Sequence, residues 1–154
     1  MEWSEVINNP LLQNLPFKIE LNKYGQILMS PASNRHGSLQ YTVGEQIKRK
    51  KRSGEIIIEC SIQTSDGVKV ADVAWASDGF IEKYGFETPY RHAPEICVEV
   101  VSPSNSKEAI ANKVELYLAK GAEEVWIVTV EKQISYFDPT GKIGKSTLVK
   151  SIKL

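Results

Sequence analysis

Two carboxylates stand where the local pattern leaves them no water. Asp72 lies in a strand-like run, residues 68–76, in which Val70, Asp72 and Ala74 share one face while Ala71, Val73 and Trp75 share the other, so both faces are apolar. Glu99 interrupts Ile96-Cys97-Val98-Glu99-Val100-Val101, a nearly continuous apolar run of the kind found in a sheet covered on both sides. A buried carboxylate without a partner is so costly that it protonates, pairs or binds a cation. Lys113 is the nearest candidate partner in the pattern: it sits at the edge of a helical stripe formed by Ile110, Val114 and Tyr117. Its long stem is able to cross the helix–sheet boundary towards Glu99.

Two readings of this trio follow. One is a buried ion pair of Glu99 with Lys113, since structural networks also place charge inside a protein. The other is catalytic. Two carboxylates from neighbouring strands with a backbone carbonyl suit Mg2+ or Mn2+, which take oxygen ligands. A lysine beside them orients or activates a metal-bound water and stabilises charge developing on a phosphate, the chemistry of metal-assisted phosphodiester hydrolysis.

The elements that must position these groups are legible from period and punctuation. Phe17-Lys18-Ile19-Glu20-Leu21 alternates, Asn22 to Gly25 supplies turn chemistry, and Gln26-Ile27-Leu28-Met29 returns, which predicts an N-terminal hairpin closed by Pro31. A helix is predicted from an N-cap at Ser33 or Asn34 to about Arg52, with Leu39, Val43 and Ile47 on a buried stripe that also contains His36 and Gln40. Strands are predicted over 55–64 and 68–76, turned by Ser65-Asp66-Gly67, and a third over 95–101. Asn105 with Glu108 predicts a capping-box start for a second helix ending at Gly121, and a strand follows over 124–130. Strand, helix and strand in this order form a parallel crossover. Residues 133–137 and 147–152 are predicted as further edge strands around an Asp138-Pro139-Thr140-Gly141 turn. The long connection 77–93 holds a short helix over 78–84 and a loop through Tyr90, Arg91 and His92 whose length is typical of functional loops.

Composition bounds the rest. With 154 residues, 42% apolar and 25% charged, the chain reads as one α/β domain spanning 1–154, large enough for a hydrophobic core without staples. Cys60 and Cys97 match no zinc spacing and read as small core residues in a reducing, cytoplasmic setting. No secretory leader or membrane-spanning run is recognisable. Equal numbers of basic and acidic residues, 19 each, argue against binding nucleic acid by bulk attraction. The Lys48-Arg49-Lys50-Lys51-Arg52 run is a local patch that also has a plain explanation, cations favouring the end of a helix.

Taken in order, several segments resemble the Uma2 (Uma-two) family of restriction-endonuclease-like proteins, a branch of the PD-(D/E)XK nuclease superfamily. They are the hairpin through Ser30-Pro31, His36, Val70-Ala71-Asp72-Val73, the run from Pro94 to Ser104 around Glu99, Lys113 through Tyr117, and Gly121 to Val128. The resemblance implies a restriction-endonuclease-like core: a mixed central sheet flanked by two helices, in the order helix, strand, strand, strand, helix, strand. It implies Asp72 and Glu99 as metal ligands and the Val100 carbonyl as a main-chain ligand. Two departures stand out. Ala71 replaces the usual proline before the aspartate, and Val101 replaces the lysine usual two residues after Glu99. The resemblance implies that this lysine has moved to the following helix, where Lys113 matches.

The leading expectation is therefore a Mg2+- or Mn2+-dependent endonuclease acting on DNA, with Asp72, Glu99 and Lys113 at its centre, as a homodimer where paired cuts are made. His36 fits either a hydrogen-bonded core histidine or a proton-handling group beside the metal. The alternative is a catalytically silent binding or assembly module that keeps the fold and dimerises through its edge strands. A two-carboxylate glycosidase ranks below both, because the acids accompany a lysine and no aromatic-lined groove is evident.

Overall fold

The computed structural model describes residues 1–154. A six-stranded mixed sheet is built from β3 (Glu55–Thr64), β4 (Gly67–Ala76), β5 (Ile96–Val101), β6 (Glu124–Thr129), β7 (Ile134–Asp138) and β8 (Gly141–Ile143), in that spatial order. Only β5 and β6 run parallel, joined by the crossover helix α4 (Lys107–Ala119); all other neighbours are antiparallel. A separate hairpin, β1 (Phe17–Leu21) with β2 (Ile27–Pro31), precedes helix α2 (Asn34–Lys51).

The two long helices cover opposite faces. Leu39, Val43 and Ile47 of α2 pack on Val73, Trp75, Ile96, Val98 and Trp126. Val114 and Tyr117 of α4 pack on Ala74, Cys97, Val125 and Ile127. This two-sided cover is why the strand residues read as continuous apolar runs. Cys60 and Cys97 are free and buried, and Trp75 and Trp126 are core residues.

A third, small cluster fixes the hairpin. Helix α1 (Trp3–Asn8), which the sequence pattern did not announce, brings Val6 and Trp3 against Leu21, Ile19 and Ile27 of the hairpin and Val68 of β4. Because β1 alternates, placing Ile19 and Leu21 in this cluster turns Lys18 and Glu20 to the other side. Gly67 makes the close approach possible: at φ +77°, a Cβ there would lie 2.3 Å from the Leu21 carbonyl oxygen.

Three predicted details are corrected. Helix α4 takes Ser106, not Asn105, as its N-cap, the hydroxyl accepting from the Ala109 N–H; the Asn105 side chain instead accepts from the Ser102 N–H at 2.8 Å and stiffens the preceding loop. Residues 147–152 form no strand. The Thr147 and Leu148 N–H groups go to the buried Glu124 carboxylate and that of Val149 to Ser146 Oγ, so this backbone is satisfied by side chains rather than by a ladder. The outermost strand is instead β8, reached by the predicted turn at Asp138 to Gly141.

The short helix α3 (Asp78–Tyr84) is present, and the loop after it closes one sheet edge. The Tyr90 N–H donates to the Ser61 carbonyl at 2.9 Å, and the Gln63 N–H donates to the Tyr90 carbonyl at 2.8 Å.

Candidate functional site

One register row organises the site. Ile58 pairs with Val73 and Cys60 with Ala71, so Glu59 stands opposite Asp72, yet that pair is missing from the ladder. On the other side of β4, pairing with β5 stops at Val73 and Val98, so Glu99 occupies the next position across from Asp72. Three acids, Glu59, Asp72 and Glu99, thus line up across three adjacent strands at the level where both ladders open. Glu59 holds φ +57°, and the alternation of faces switches there: Ala74 and Ala71, three residues apart, join the same core cluster. The opening frees backbone and side chains for other partners.

Those partners arrive from both helices and the hairpin. From α2, Gln40 Nε2 donates to the Asp72 carbonyl and to Glu59 Oε1, both at 2.7 Å, which satisfies the main-chain oxygen that the broken ladder leaves. His36 Nε2 lies 3.3 Å from Asp72 Oδ2, and the same oxygen accepts from the Val100 N–H at 2.7 Å. From α4, the Tyr117 hydroxyl donates to Glu99 Oε1 at 2.7 Å, while Lys113 Nζ reaches both Glu99 oxygens at 3.3 Å and Glu20 Oε2 at 3.0 Å. From β1, Lys18 Nζ sits between the central acids, 3.0 Å from Asp72 Oδ1 and 3.1 Å from Glu99 Oε2. Glu20 Oε2 also accepts from the Val70 N–H at 2.7 Å.

The predicted residues Asp72, Glu99, Lys113 and His36 therefore converge. Asp72 and Glu99 are 1% and 4% exposed. The sum of the two Lys18 contacts places Asp72 Oδ1 and Glu99 Oε2 no more than about 6 Å apart. Val100 is also at the site. Its N–H binds Asp72, and because a strand residue's N–H and carbonyl leave on the same edge, its carbonyl faces the opened gap.

Sequence reasoning missed Lys18, Glu20 and Glu59 as site residues. The Lys18 and Glu20 alternation was visible, but nothing in the pattern says which face of a hairpin turns inward. Other candidates lie elsewhere. Tyr90 is buried against the sheet edge with its hydroxyl on the Gly85 carbonyl, and His92 stacks on Tyr84. Half-buried Glu95, just before β5, is also away from the acids and accepts from the Ser77 N–H and hydroxyl. In the basic run, Lys48 is tied to the Gly54 carbonyl and Lys51 lies over the Trp75 ring, and none of its residues lines the site cavity.

Electrostatics follow the contacts. Burial would raise the Asp72 carboxyl, but the His36 hydrogen bond and the Lys18 charge outweigh it and hold it at about 2. The contact with Asp72 raises His36 above its ordinary value. Burial raises Glu99 against the pull of Lys18 and Lys113. Burial would lower Lys18, yet Glu99, Asp72 and Glu20 together raise it, so it remains an ammonium.

The acids open into a cavity of about 700 Å³. Phe17 and Met29 of the hairpin form one side, and Ser102, Ser104 and Asn105 of the loop before α4 form another. No three His, Cys, Asp or Glu side chains converge into a complete metal cage. The donor set is nonetheless suited to a hard cation: apart from His36 Nε2 the available ligands are oxygens, and a cation, the Lys18 ammonium, already bridges two of them.

Residues 5–142 match the model of the Uma2 family, described as "Putative restriction endonuclease". The chain belongs to the Uma2 family. Among solved structures, the "Crystal structure of a putative nuclease belonging to DUF820 from Anabaena variabilis ATCC 29413" is similar over 100% of this chain and 94% of that one, with a TM-score of 0.70 and 17% sequence identity. At that identity the likeness speaks to the fold, and it agrees with the mixed sheet and flanking helices. No curated protein matches the chain significantly. Like its family, the chain is restriction-endonuclease-like, and none of its helices is long and apolar enough to cross a membrane.

Proposed function

We propose that this Uma2 protein is a divalent-metal-dependent endonuclease that hydrolyses phosphodiester bonds in DNA. The observation that carries the reading is the row of acids at the level where both ladders open, served by two lysines and facing a cavity. Asp72, Glu99 and the Val100 carbonyl would hold Mg2+ or Mn2+, with water completing the shell. When bound, the ion neutralises phosphate charge and makes water a stronger acid.

The chain's own residues supply the rest. Tyr117 fixes Glu99, and the Val100 N–H with His36 fixes Asp72. Lys113, held between Glu20 and Glu99, lines the cavity, where its positive charge would act on the attacking water or on a phosphate oxygen. In hydrolysis the water oxygen bonds phosphorus as the bond to the leaving oxygen breaks. The water's proton passes to a nearby base, and the leaving oxygen takes up a proton.

The test is nicking of plasmid DNA and cutting of oligonucleotides with Mg2+ or Mn2+. Wild type is expected to cleave, while Asp72→Ala and Lys113→Ala lose at least about a hundred-fold in rate, the scale of removing one electrostatic group from a transition state. Equal cleavage by all three points to a contaminant and overturns the assignment. Because cutting both strands asks for two sites, a homodimer on DNA is part of the proposal, and sizing the complex checks it.

A specific observation favours a second reading. Lys18, Lys113 and His36 already face the acids, so the network is close to balanced without any ion. A silent assembly module would keep these charges for structure alone. Calorimetry showing no Mg2+ or Mn2+ binding, with Asp72→Asn as stable as wild type or more so, selects that reading.

A further inference from the structure

Lys18 is the one side chain whose ammonium touches both central acids. It comes from the hairpin and not from the sheet–helix core, its side chain is 10% exposed, and it occupies the bridging position between Asp72 Oδ1 and Glu99 Oε2. Lys113 approaches Glu99 from the α4 side and touches Glu20, but it has no contact with Asp72. The two lysines are therefore not equivalent. Lys113 is a neighbour of the bridging position, whereas Lys18 fills it.

A cation that binds both acids has to enter this position. The two carboxylate oxygens lie no more than about 6 Å apart, so a small inward turn of either side chain would bring both onto one ion once the ammonium has left. A strongly charged ion cannot sit beside an ammonium at the same oxygens without large repulsion in a poorly solvated site. Resting on the metal-dependent reading above, we infer that Lys18 is a built-in competitor for the divalent-ion position, and that metal binding requires its ammonium to leave the bridge.

The departure is sterically reasonable. Lys18 lines the cavity, so its flexible stem swings into open space without unfolding β1. It remains tethered at the mouth of the site, where a substrate phosphate would receive it. Metal affinity is then set partly by the fraction of molecules in which Lys18 is out, since a ligand that binds only a minor state is weakened by that state's population.

Two measurements test this. The first is Mn2+ titration of wild type, Lys18→Met and Lys113→Met by calorimetry. Lys18→Met is expected to bind Mn2+ roughly ten-fold or more tightly than wild type, as removing a competing state predicts. Lys113→Met removes the same charge without vacating the bridge and is expected to gain clearly less. The second uses wild type alone, in case the variants fold poorly: reductive methylation of lysines read by mass spectrometry. Lys18 is expected to be protected without metal and to become several-fold more reactive when Mg2+ or Mn2+ is saturating.

Wild type that binds the ion while Lys18 stays protected overturns the competitor role and leaves the nuclease reading intact. Equal gains from both lysine variants also overturn it, because then only net charge matters. Failure of wild type and folded Lys18→Met alike to bind either ion overturns the metal-dependent reading and, with it, this inference. Binding by Lys18→Met but not by wild type supports the inference in its strongest form.

Discussion

At the scale of single residues, the site shows how expensive groups are kept inside a small protein. Asp72 has a partner for each side-chain oxygen and a glutamine for its main-chain carbonyl, and Glu99 meets two lysines and a tyrosine. Tyr117 is fully buried, so its hydroxyl has no water to turn to. Tyr117→Phe is therefore expected to lower stability by about 1.5–3 kcal/mol, the range for a hydrogen bond to a charged group, as measured by urea unfolding. In the cleavage assay it is expected to reduce the rate and not abolish it, because both Lys113 contacts to Glu99 remain. Asp72 and Glu99 were legible in the sequence because each violates its local pattern, and Lys113 because it borders the apolar stripe of the helix that follows Glu99. Lys18 and Glu20 were not: on an alternating strand, a polar face looks the same whether it meets water or a buried cluster.

At the scale of elements, two attachments carry consequences. The first is Glu124, which begins β6 and is 1% exposed. Its carboxylate accepts from Trp126 Nε1, Ser146 Oγ, the Thr147 N–H and hydroxyl, and the Leu148 N–H, gathering the chain after β8 onto the sheet. Burial would raise this carboxyl, but the hydrogen bonds from Ser146, Trp126 and Thr147 outweigh it and lower it below the ordinary glutamate value. A carboxyl lowered by folding stabilises at pH above its unfolded value and loses that contribution as pH falls through its folded value. Glu124→Gln is expected to flatten the fall in stability below about pH 4.5 in denaturant titrations, and to cost about 2 kcal/mol at neutral pH through donors left unpaired. The same arrangement explains why residues 147–152 look like a strand and are none: period and composition do not reveal that a distant carboxylate claims the backbone.

The second attachment is the hairpin turn on the β3–β4 turn. Gly67→Ala places a methyl group against the Leu21 and Asn22 backbone in a conformation that disfavours a side chain. It is expected to destabilise by about 1–3 kcal/mol. It should also lower cleavage more than stability alone explains, since lifting β1 displaces Glu20 and with it the contact that holds Lys113. A Gly67→Ala protein with full activity would show that the hairpin does not place these groups. The main elements, from β1 to β7, were readable because apolar alternation or helical period is bounded in each by turn or capping residues. Helix α1 was not, because it is 6 residues long and contributes only Val6 as a buried residue.

At the scale of the whole molecule, the chain has a two-sided apolar core and an appended hairpin. The sheet and its two helices contain both large apolar clusters, whereas the hairpin rests on a cluster of three buried residues, Val6, Leu21 and Val68. Segments with few buried apolar contacts open more readily than the core. Hydrogen exchange is accordingly expected to be faster in β1 and β2 than in β4, β5 and β6, and uniform protection across all five strands would contradict this division. The separation matters for function, because the hairpin delivers Lys18 and Glu20 while the core delivers Asp72 and Glu99. Opening of the one is expected to alter the charge around the other while the two large clusters stay packed.

The plug that Tyr90 makes on β3 has a final implication. Exposed borders of sheets attract foreign segments, which zip on through unused amide and carbonyl groups and seed fibrous deposits. Here the amides and carbonyls near Ser61 and Gln63 are already engaged by the protein's own loop, and the kinked backbone at Glu59 spoils the flatness that a stacking neighbour requires. This flank of the molecule is therefore protected against runaway self-templating.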